Sequence, residues 1–323
     1  MPKYLVIRFS SIGDIVLTSP VIRCLKKQKT DAEIHFVTKA SFKVLLENNP
    51  YIEKVITFQK EIDEVLDRLK NENYDFVIDL HHNLRSTKLK RKLKKPSATF
   101  PKLNYKKLLL TTFKINRLPN VHVVDRYFKA VETLGITNDQ LGLDYFIPEQ
   151  DEVRISDFGI PENFITFSIG AQFNTKKLPN KKISELIQKI NLPVVLLGGE
   201  TDFDNAEEIS KSNSSIINLC GRVNLNQAAS VLKQATKVVT HDTGLMHIAS
   251  SFNKPIVSIW GNTVPAFGMY PYLAQNKNGF SVHEVNNLKC RPCSKIGYQK
   301  CPKNHFDCMM KQDLDLIAKN INS

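Results

Sequence analysis

The sequence predicts an α/β protein built from two parallel-sheet domains in series. Three observations carry that expectation. Short β-branched or aromatic runs alternate with helix-patterned segments from end to end, the mark of repeated βα units. The alternation loosens once near the middle of the chain and then restarts. At 323 residues with 42% apolar content, the chain also exceeds the roughly 250 to 300 residues that a single core usually fills.

The first series runs KYLVIRF then DIVLTSPVIRCLKKQ, EIHFVTK then SFKVLLENN, KVITF then EIDEVLDRLKNEN, and FVIDLH then LRSTKLKRKLK. Between residues 99 and 150 basic and aromatic residues mix, and HVVDRYFKAVETLG reads as one more helix stopped by Gly135. Pro148 to Pro161 is polar, acidic and holds Gly159, which makes it the linker candidate and sets the domains at 1–150 and 151–323. The rhythm restarts with FITFSIG, KKISELIQKI, PVVLLGG, FDNAEEISKS, SIINLCG, LNQAASVLKQA, KVVTHDT, GLMHIASSF and KPIVSIWG. The last helix is free, on sequence grounds, to pack back on the first domain. No run approaches the roughly 18 apolar residues of a spanning helix, and the N-terminus enters a strand with no signal-peptide pattern, so a soluble cytoplasmic protein is expected.

The net charge of +13 is concentrated. Between Asp79 and Asp125 there is no acidic residue, while twelve lysines and arginines fall there. Such a field attracts phosphates of nucleic acid, an anionic membrane or a phosphorylated glycolipid; otherwise it is a solvated face.

Ligands of open α/β sheets lie beyond the carboxyl ends of strands, at helix N-termini, and the notable motifs all fall at such junctions. In TKVVTHDTGLMHIASSFNKPIVSIWG the strand runs into His241-Asp242-Thr243-Gly244 and a helix begins near Leu245. A glycine-bearing turn at a helix start presents N–H groups to an anion, a phosphate cradle, and Asp242 beside it can accept from sugar hydroxyls. Capping of the helix by Asp242 or Thr243 is the plainer reading. Asp14 opens a helix after the polar turn that ends in Gly13, and reads either as a helix N-terminal acid or as a base.

Taken together, SSIGDIVLTSPVIRCLK, GAQFNTKKLP, LLGGETD and HDTGLMHIASSFNKPIVSIWGNTVP resemble glycosyltransferase family 9, the lipopolysaccharide heptosyltransferases, in the same order over nearly the whole chain. The resemblance implies the GT-B fold, two Rossmann-like domains facing across a cleft, with nucleotide-sugar on the C-terminal domain and acceptor on the N-terminal one. It implies Asp14 as general base, and Lys176 as the lysine that neutralises the leaving diphosphate, Lys177 substituting if the loop shifts by one residue. Gln172-Phe173 departs from the small residue and Trp that many relatives carry. Glu200, with Asp202 or Asp204 as alternatives, falls where ribose hydroxyls bind, and Gly221 where the chain passes the base. His247 reads as a phosphate contact or a core histidine. On the acceptor side the resemblance implies Ser11, Gly13, His81 and Asn83, with Arg85, Lys88 and Arg91 on one helix face for acceptor phosphates or carboxylates.

Six cysteines without a secretory pattern read as reduced thiols or metal ligands. Cys290, Cys293, Cys301 and Cys308, with His305, show only one close pair, so reduced thiols are expected and structural zinc is the alternative. The expected function is inverting, metal-independent sugar transfer, most plausibly heptose from ADP-heptose to an acidic lipid-linked acceptor, with no cofactor and with peripheral contact at an anionic membrane. The alternatives are another nucleotide-sugar GT-B activity, epimerisation included, or a non-catalytic binder of nucleic acid or membrane, although no groove-reading or base-stacking motif accompanies the basic residues.

Overall fold

The computed structural model describes residues 1–276 and 278–323, which divide into two compact units. One comprises residues 1–102 and 121–146, the other residues 103–120 and 147–323.

In the first unit the elements are β1 (Lys3–Ile7), α1 (Ile12–Val16), α2 (Ser19–Gln28), β2 (Glu33–Lys39), β3 (Lys54–Phe58), α3 (Leu66–Asn71), β4 (Phe76–Asp79), α4 (Leu84–Leu93) and β5 (Ser97–Thr99). The chain then leaves for the second unit through α5 (Asn104–Leu108) and returns at α6 (Val123–Tyr127). All five strands are parallel, in the order β3-β2-β1-β4-β5. The central strand β1 is buried at Leu5 and Ile7, which pack with Val37, Ile56, Val77 and Leu89.

The single helix expected after β1 is two, because Pro20, near the start of α2, has no N–H to continue a ladder from α1. Helical character in SFKVLLENN is confined to a 3₁₀ stretch, Ala40–Leu45, and HVVDRYFKAVETLG is α6 followed by two 3₁₀ turns, with Gly135 left-handed at φ 73°.

The second unit holds β6 (Ile165–Ser168), α7 (Asn180–Ile187), β7 (Val194–Leu197), α8 (Phe203–Ser210), β8 (Ile216–Asn218), α9 (Leu225–Gln234), β9 (Lys237–His241), α10 (Gly244–Ser251), β10 (Ile256–Trp260), β11 (Phe280–Glu284), α11 (Asp307–Met310) and α12 (Leu314–Asn322). Its six parallel strands run β11-β10-β9-β6-β7-β8. The last helix belongs to the second unit: Leu314, Ile317, Ala318 and Ile321 join its core with Ile183, Leu186 and Ile187 of α7. The expected linker is also part of this unit. Asp151 accepts from Asn224 and Asn226, and Glu152 from Ser230 and Lys233, so its acidic cluster is spent on α9.

Arg23 fastens α2 to the end of the first unit. Its guanidinium, 3% exposed, bonds both oxygens of Asp139 at 2.8 and 2.9 Å, the carbonyl of Gly142 at 2.8 Å, and Asp144. The hydrogen bonds from Arg23 hold Asp139 down at about 2, while burial pushes Asp144 up. Removing one partner of a buried network leaves the others uncompensated, at a cost of about 3–5 kcal/mol. Arg23→Ala is therefore expected to lose about 3 kcal/mol in urea unfolding; a loss below 1 kcal/mol contradicts this account.

Candidate active site

Each sheet reverses its strand order once, between β1 and β4 in the first unit and between β6 and β9 in the second. Those switch points leave crevices at the strand carboxyl ends. The chemistry-bearing residues gather there.

In the first unit Ile7 lies opposite Asp79 across β1 and β4, so the turns after both strands emerge side by side. After β1, α1 begins at Ile12, which puts Gly13 inside the helix rather than in the turn and Asp14 in its first turn. Asp14 is held from several directions. Its Oδ2 accepts from the Ser11 hydroxyl at 2.8 Å and the Ser11 N–H at 3.3 Å, and its Oδ1 pairs with Arg8. Arg8 is itself buried, donating to the carbonyls of Ser10 at 2.9 Å and of Leu80, with its guanidinium 5.8 Å from the Tyr127 ring centre. Burial works against its charge, but Asp14 and Tyr127 outweigh it and raise the pKa of Arg8.

After β4, the fully buried Asp79 organises the turn: its carboxylate accepts from the N–H groups of His81 and His82 and from Ser86, and pairs with Lys90 at 3.0 Å. His81 is thereby set against Phe9, ring centres 4.7 Å apart. Burial, with Arg8 and Lys102 nearby, pushes the His81 imidazole down to about 3, so it is neutral at physiological pH. Asn83 caps α4: its side-chain oxygen accepts from the Ser86 N–H at 2.9 Å. Arg85 and Arg91 are exposed. Lys88 shares Asp63 with Lys92, and with Arg91 it lines an open groove of about 680 Å³ beside α3.

In the second unit Ser168 of β6 lies opposite Thr240 of β9, which brings the loop after β6 to the turn before α10. Lys176 Nζ meets Asp242 Oδ2 at 2.7 Å and its carbonyl at 3.2 Å. Thr263 donates to the same carboxylate oxygen at 2.9 Å. His241, fully buried, accepts from the Leu178 N–H at 3.0 Å through Nε2 and so ties the lysine loop to β9; burial, with Lys177 nearby, pushes its pKa down to about 3, which keeps that lone pair available. The plainer reading of Asp242 and Thr243 as caps fails: no side chain caps α10, and Asp242 is occupied by Lys176 and Thr263. The helix thus opens with Gly244 and Leu245 at an uncapped N-terminus, the arrangement that favours an anion. His247 is buried inside α10, the core-histidine placement.

Lys177, the alternative to Lys176, pairs with Asp202 at 2.6 Å. Asp202 also accepts from the Gly199 N–H at 3.1 Å and is buried, which removes it as a ribose contact. Glu200 stands exposed in the same turn. Gly221, left-handed at φ 68°, passes so close that a Cβ there would lie 3.0 Å from the Glu200 Cα.

The profile of glycosyltransferase family 9 (heptosyltransferase) matches residues 63–298. The chain belongs to that family. Lipopolysaccharide heptosyltransferase 1 of Campylobacter coli is 25% identical over 295 residues, 81% of this chain and 84% of that protein. Lipooligosaccharide heptosyltransferase 2 of Haemophilus influenzae is 26% identical over 321 residues, 91% of this chain and 92% of that one. E. coli heptosyltransferase WaaC, solved with ADP, superposes with a TM-score of 0.68 at 20% identity, covering 98% of this chain and 99% of that one. This family 9 member is a glycosyltransferase and has the GT-B fold with its two parallel sheets. Of the residues that build its candidate site, sequence reading alone passed over Arg8, Asp79 and Thr263. Thr263 lies inside a quoted motif and Arg8 beside one, but nothing in the local pattern announces their partners, which lie 6, 72 and 21 residues away.

The cysteines form no disulfide. All six are free, and burial pushes Cys293 up to about 11 and Cys308 up to about 12. Cys290 Sγ lies 3.8 Å from His305 Nε2, yet among the described residues no three ligand atoms of this segment come within 4.8 Å of one another, so the zinc alternative lacks an assembled tetrahedron. The one group that meets that distance, Glu33, His35 and Glu72, already pairs with Lys3 and Lys54.

A histidine whose folded pKa is about 3 leaves the unfolded chain to take up the proton first, from about pH 6.5 downward. Its contribution to stability is full above that pH and declines toward pH 3, by about 1.4 kcal/mol per pH unit. The dependence of unfolding free energy on pH is therefore expected to be shallower by about that slope in His241→Gln between pH 6 and pH 4. Identical slopes in chemical denaturation contradict a neutral His241.

Proposed function

We propose that this glycosyltransferase moves heptose from ADP-heptose to an acidic, lipid-linked acceptor of the lipopolysaccharide inner core, with inversion. The observation that carries the reading is the second unit's uncapped α10 with the Lys176–Asp242 pair at its mouth. It offers amide hydrogens and an ammonium to a diphosphate and a carboxylate to sugar hydroxyls. Its relatives' names support the sugar and the acceptor, and WaaC has been solved with ADP-2-deoxy-2-fluoro heptose.

In the reaction the acceptor hydroxyl oxygen bonds to the anomeric carbon as the bond from that carbon to the diphosphate oxygen breaks. Asp14 takes the hydroxyl proton, with Arg8 and Ser11 fixing its orientation. A positioned base contributes about 10²–10⁴-fold. The electron pair leaves on the diphosphate, where Lys176 and the first amides of α10 balance the growing charge without any metal being called on. Glu200 bonds the ribose and Gly221 lets the chain approach the base. Neutral His81 serves the acceptor as a hydrogen-bonding group, and Lys88 and Arg91 hold its phosphates or carboxylates. An acceptor of this kind places the protein at the inner face of an anionic membrane, as a peripheral partner; among the described residues no helix is long and apolar enough to cross one.

Purified protein incubated with ADP-heptose and a Kdo-lipid acceptor is expected to yield the heptosylated lipid. Asp14→Asn is expected to lower kcat by about 10²–10⁴ with little change in the KM for ADP-heptose; undiminished transfer removes Asp14 from its role. Lys176→Met is expected to lower kcat/KM by about 10²–10³ and to weaken ADP binding in calorimetry. Equal ADP affinity in the variant would take Lys176 off the diphosphate.

A further inference from the structure

The excursion of residues 103–120 out of the first unit is not explained by either half of the site. It is helical from Asn104 to Phe113, α5 running straight into a π-helical turn over Leu109–Phe113. One side of it is seated on the second unit. Leu110 is buried, Lys107 lies 5.7 Å over the Phe267 ring, and Lys114 donates to the carbonyls of Thr111, Cys290 and Pro292 at 2.6, 3.2 and 2.7 Å.

The other side carries large apolar groups in water. Tyr105 is 71% exposed, Leu108 47%, Phe113 63% and Ile115 48%. Single exposed apolar residues need no explanation, but four within eleven positions form a patch, and soluble surfaces keep such patches for partners. Its surroundings are cationic: residues 103–120 hold Lys106, Lys107, Lys114 and Arg117 and no acidic residue.

We propose that this excursion is a membrane wedge, with Tyr105, Leu108, Phe113 and Ile115 entering the headgroup and upper acyl region of an anionic bilayer and Lys106 and Arg117 at the lipid phosphates. Charge selects the anionic surface, and the apolar side chains select a bilayer over a soluble polyanion. Nucleic acid stacks on aromatic rings but gives nothing to Leu108 and Ile115, whereas acyl chains reward both. A short amphipathic segment flanked by basic residues is the composition that lies in the interfacial plane. The sequence attributes membrane contact to charge alone; the wedge adds insertion. The proposal rests on the reading that the acceptor is lipid-linked, but its test does not use the acceptor.

The chain has one tryptophan, Trp260, which is buried, so Phe113→Trp supplies a second, surface reporter. With vesicles of phosphatidylglycerol and phosphatidylethanolamine, its emission is expected to shift to the blue and the protein to sediment with the lipid; phosphatidylcholine vesicles are expected to do neither. In the otherwise unaltered chain, Tyr105→Ser with Leu108→Ser is expected to weaken vesicle binding at least tenfold while ADP affinity, measured by calorimetry, stays unchanged and so reports an intact second unit. Sedimentation without an emission shift, or vesicle binding unchanged in the double serine variant, would overturn insertion. A single-stranded RNA that shifts the reporter equally and competes with vesicles would assign the patch to nucleic acid and overturn the proposal as well. Because these vesicles contain no sugar acceptor, a failure here leaves the transfer assay untouched, and a failure of transfer leaves the wedge standing.

Discussion

The candidate chemistry depends on a property of parallel sheets: all strand carboxyl ends point the same way, and where the strand order reverses, two neighbouring loops diverge and leave room for a ligand. This chain uses the device twice. β1 with β4 delivers Asp14, Arg8 and His81 to one place, and β6 with β9 delivers Lys176 and Asp242 to another. A carboxylate or ammonium placed elsewhere on these sheets would meet packed helices instead.

Both places are stiffened by buried groups that no reacting atom needs to touch. Asp79 spends its carboxylate on two backbone amides, a hydroxyl and Lys90, which fixes the turn that carries His81. His241 spends its lone pair on the Leu178 amide, which fixes the loop that carries Lys176. Burying a charge or an imidazole is costly unless its bonding is satisfied. The cost is accepted where a loop has to hold a side chain steady.

The basic stretch shows how far a charge count can mislead when taken as a field alone. Lys90 neutralises a buried aspartate, Lys102 donates to the carbonyls of His81 and His82, Lys92 pairs with Asp63, and Lys114 binds three carbonyls. Those cations are spent inside the protein. Arg85, Lys88 and Arg91 remain exposed on α4.

By itself the sequence determined what depends on local periodicity and on ordered motifs: parallel α/β units, most strands, the positions of Asp14, Lys176 and Asp242, and the family. It missed β5 and β11, which are short or late in the chain, and it merged α1 with α2 across Pro20. Only the tertiary structure decided which polar groups meet. Arg8 finds Asp14 and Leu80, Lys177 goes to Asp202, Thr263 joins Asp242, Asn83 becomes a cap, and residues 103–120 leave one unit for the other. The reason is physical. A side chain's role is set by its partner, and partners brought together by the fold can lie far apart in the chain, 21 residues for Thr263 with Asp242 and 121 for Arg23 with Asp144, a separation on which local pattern carries no information.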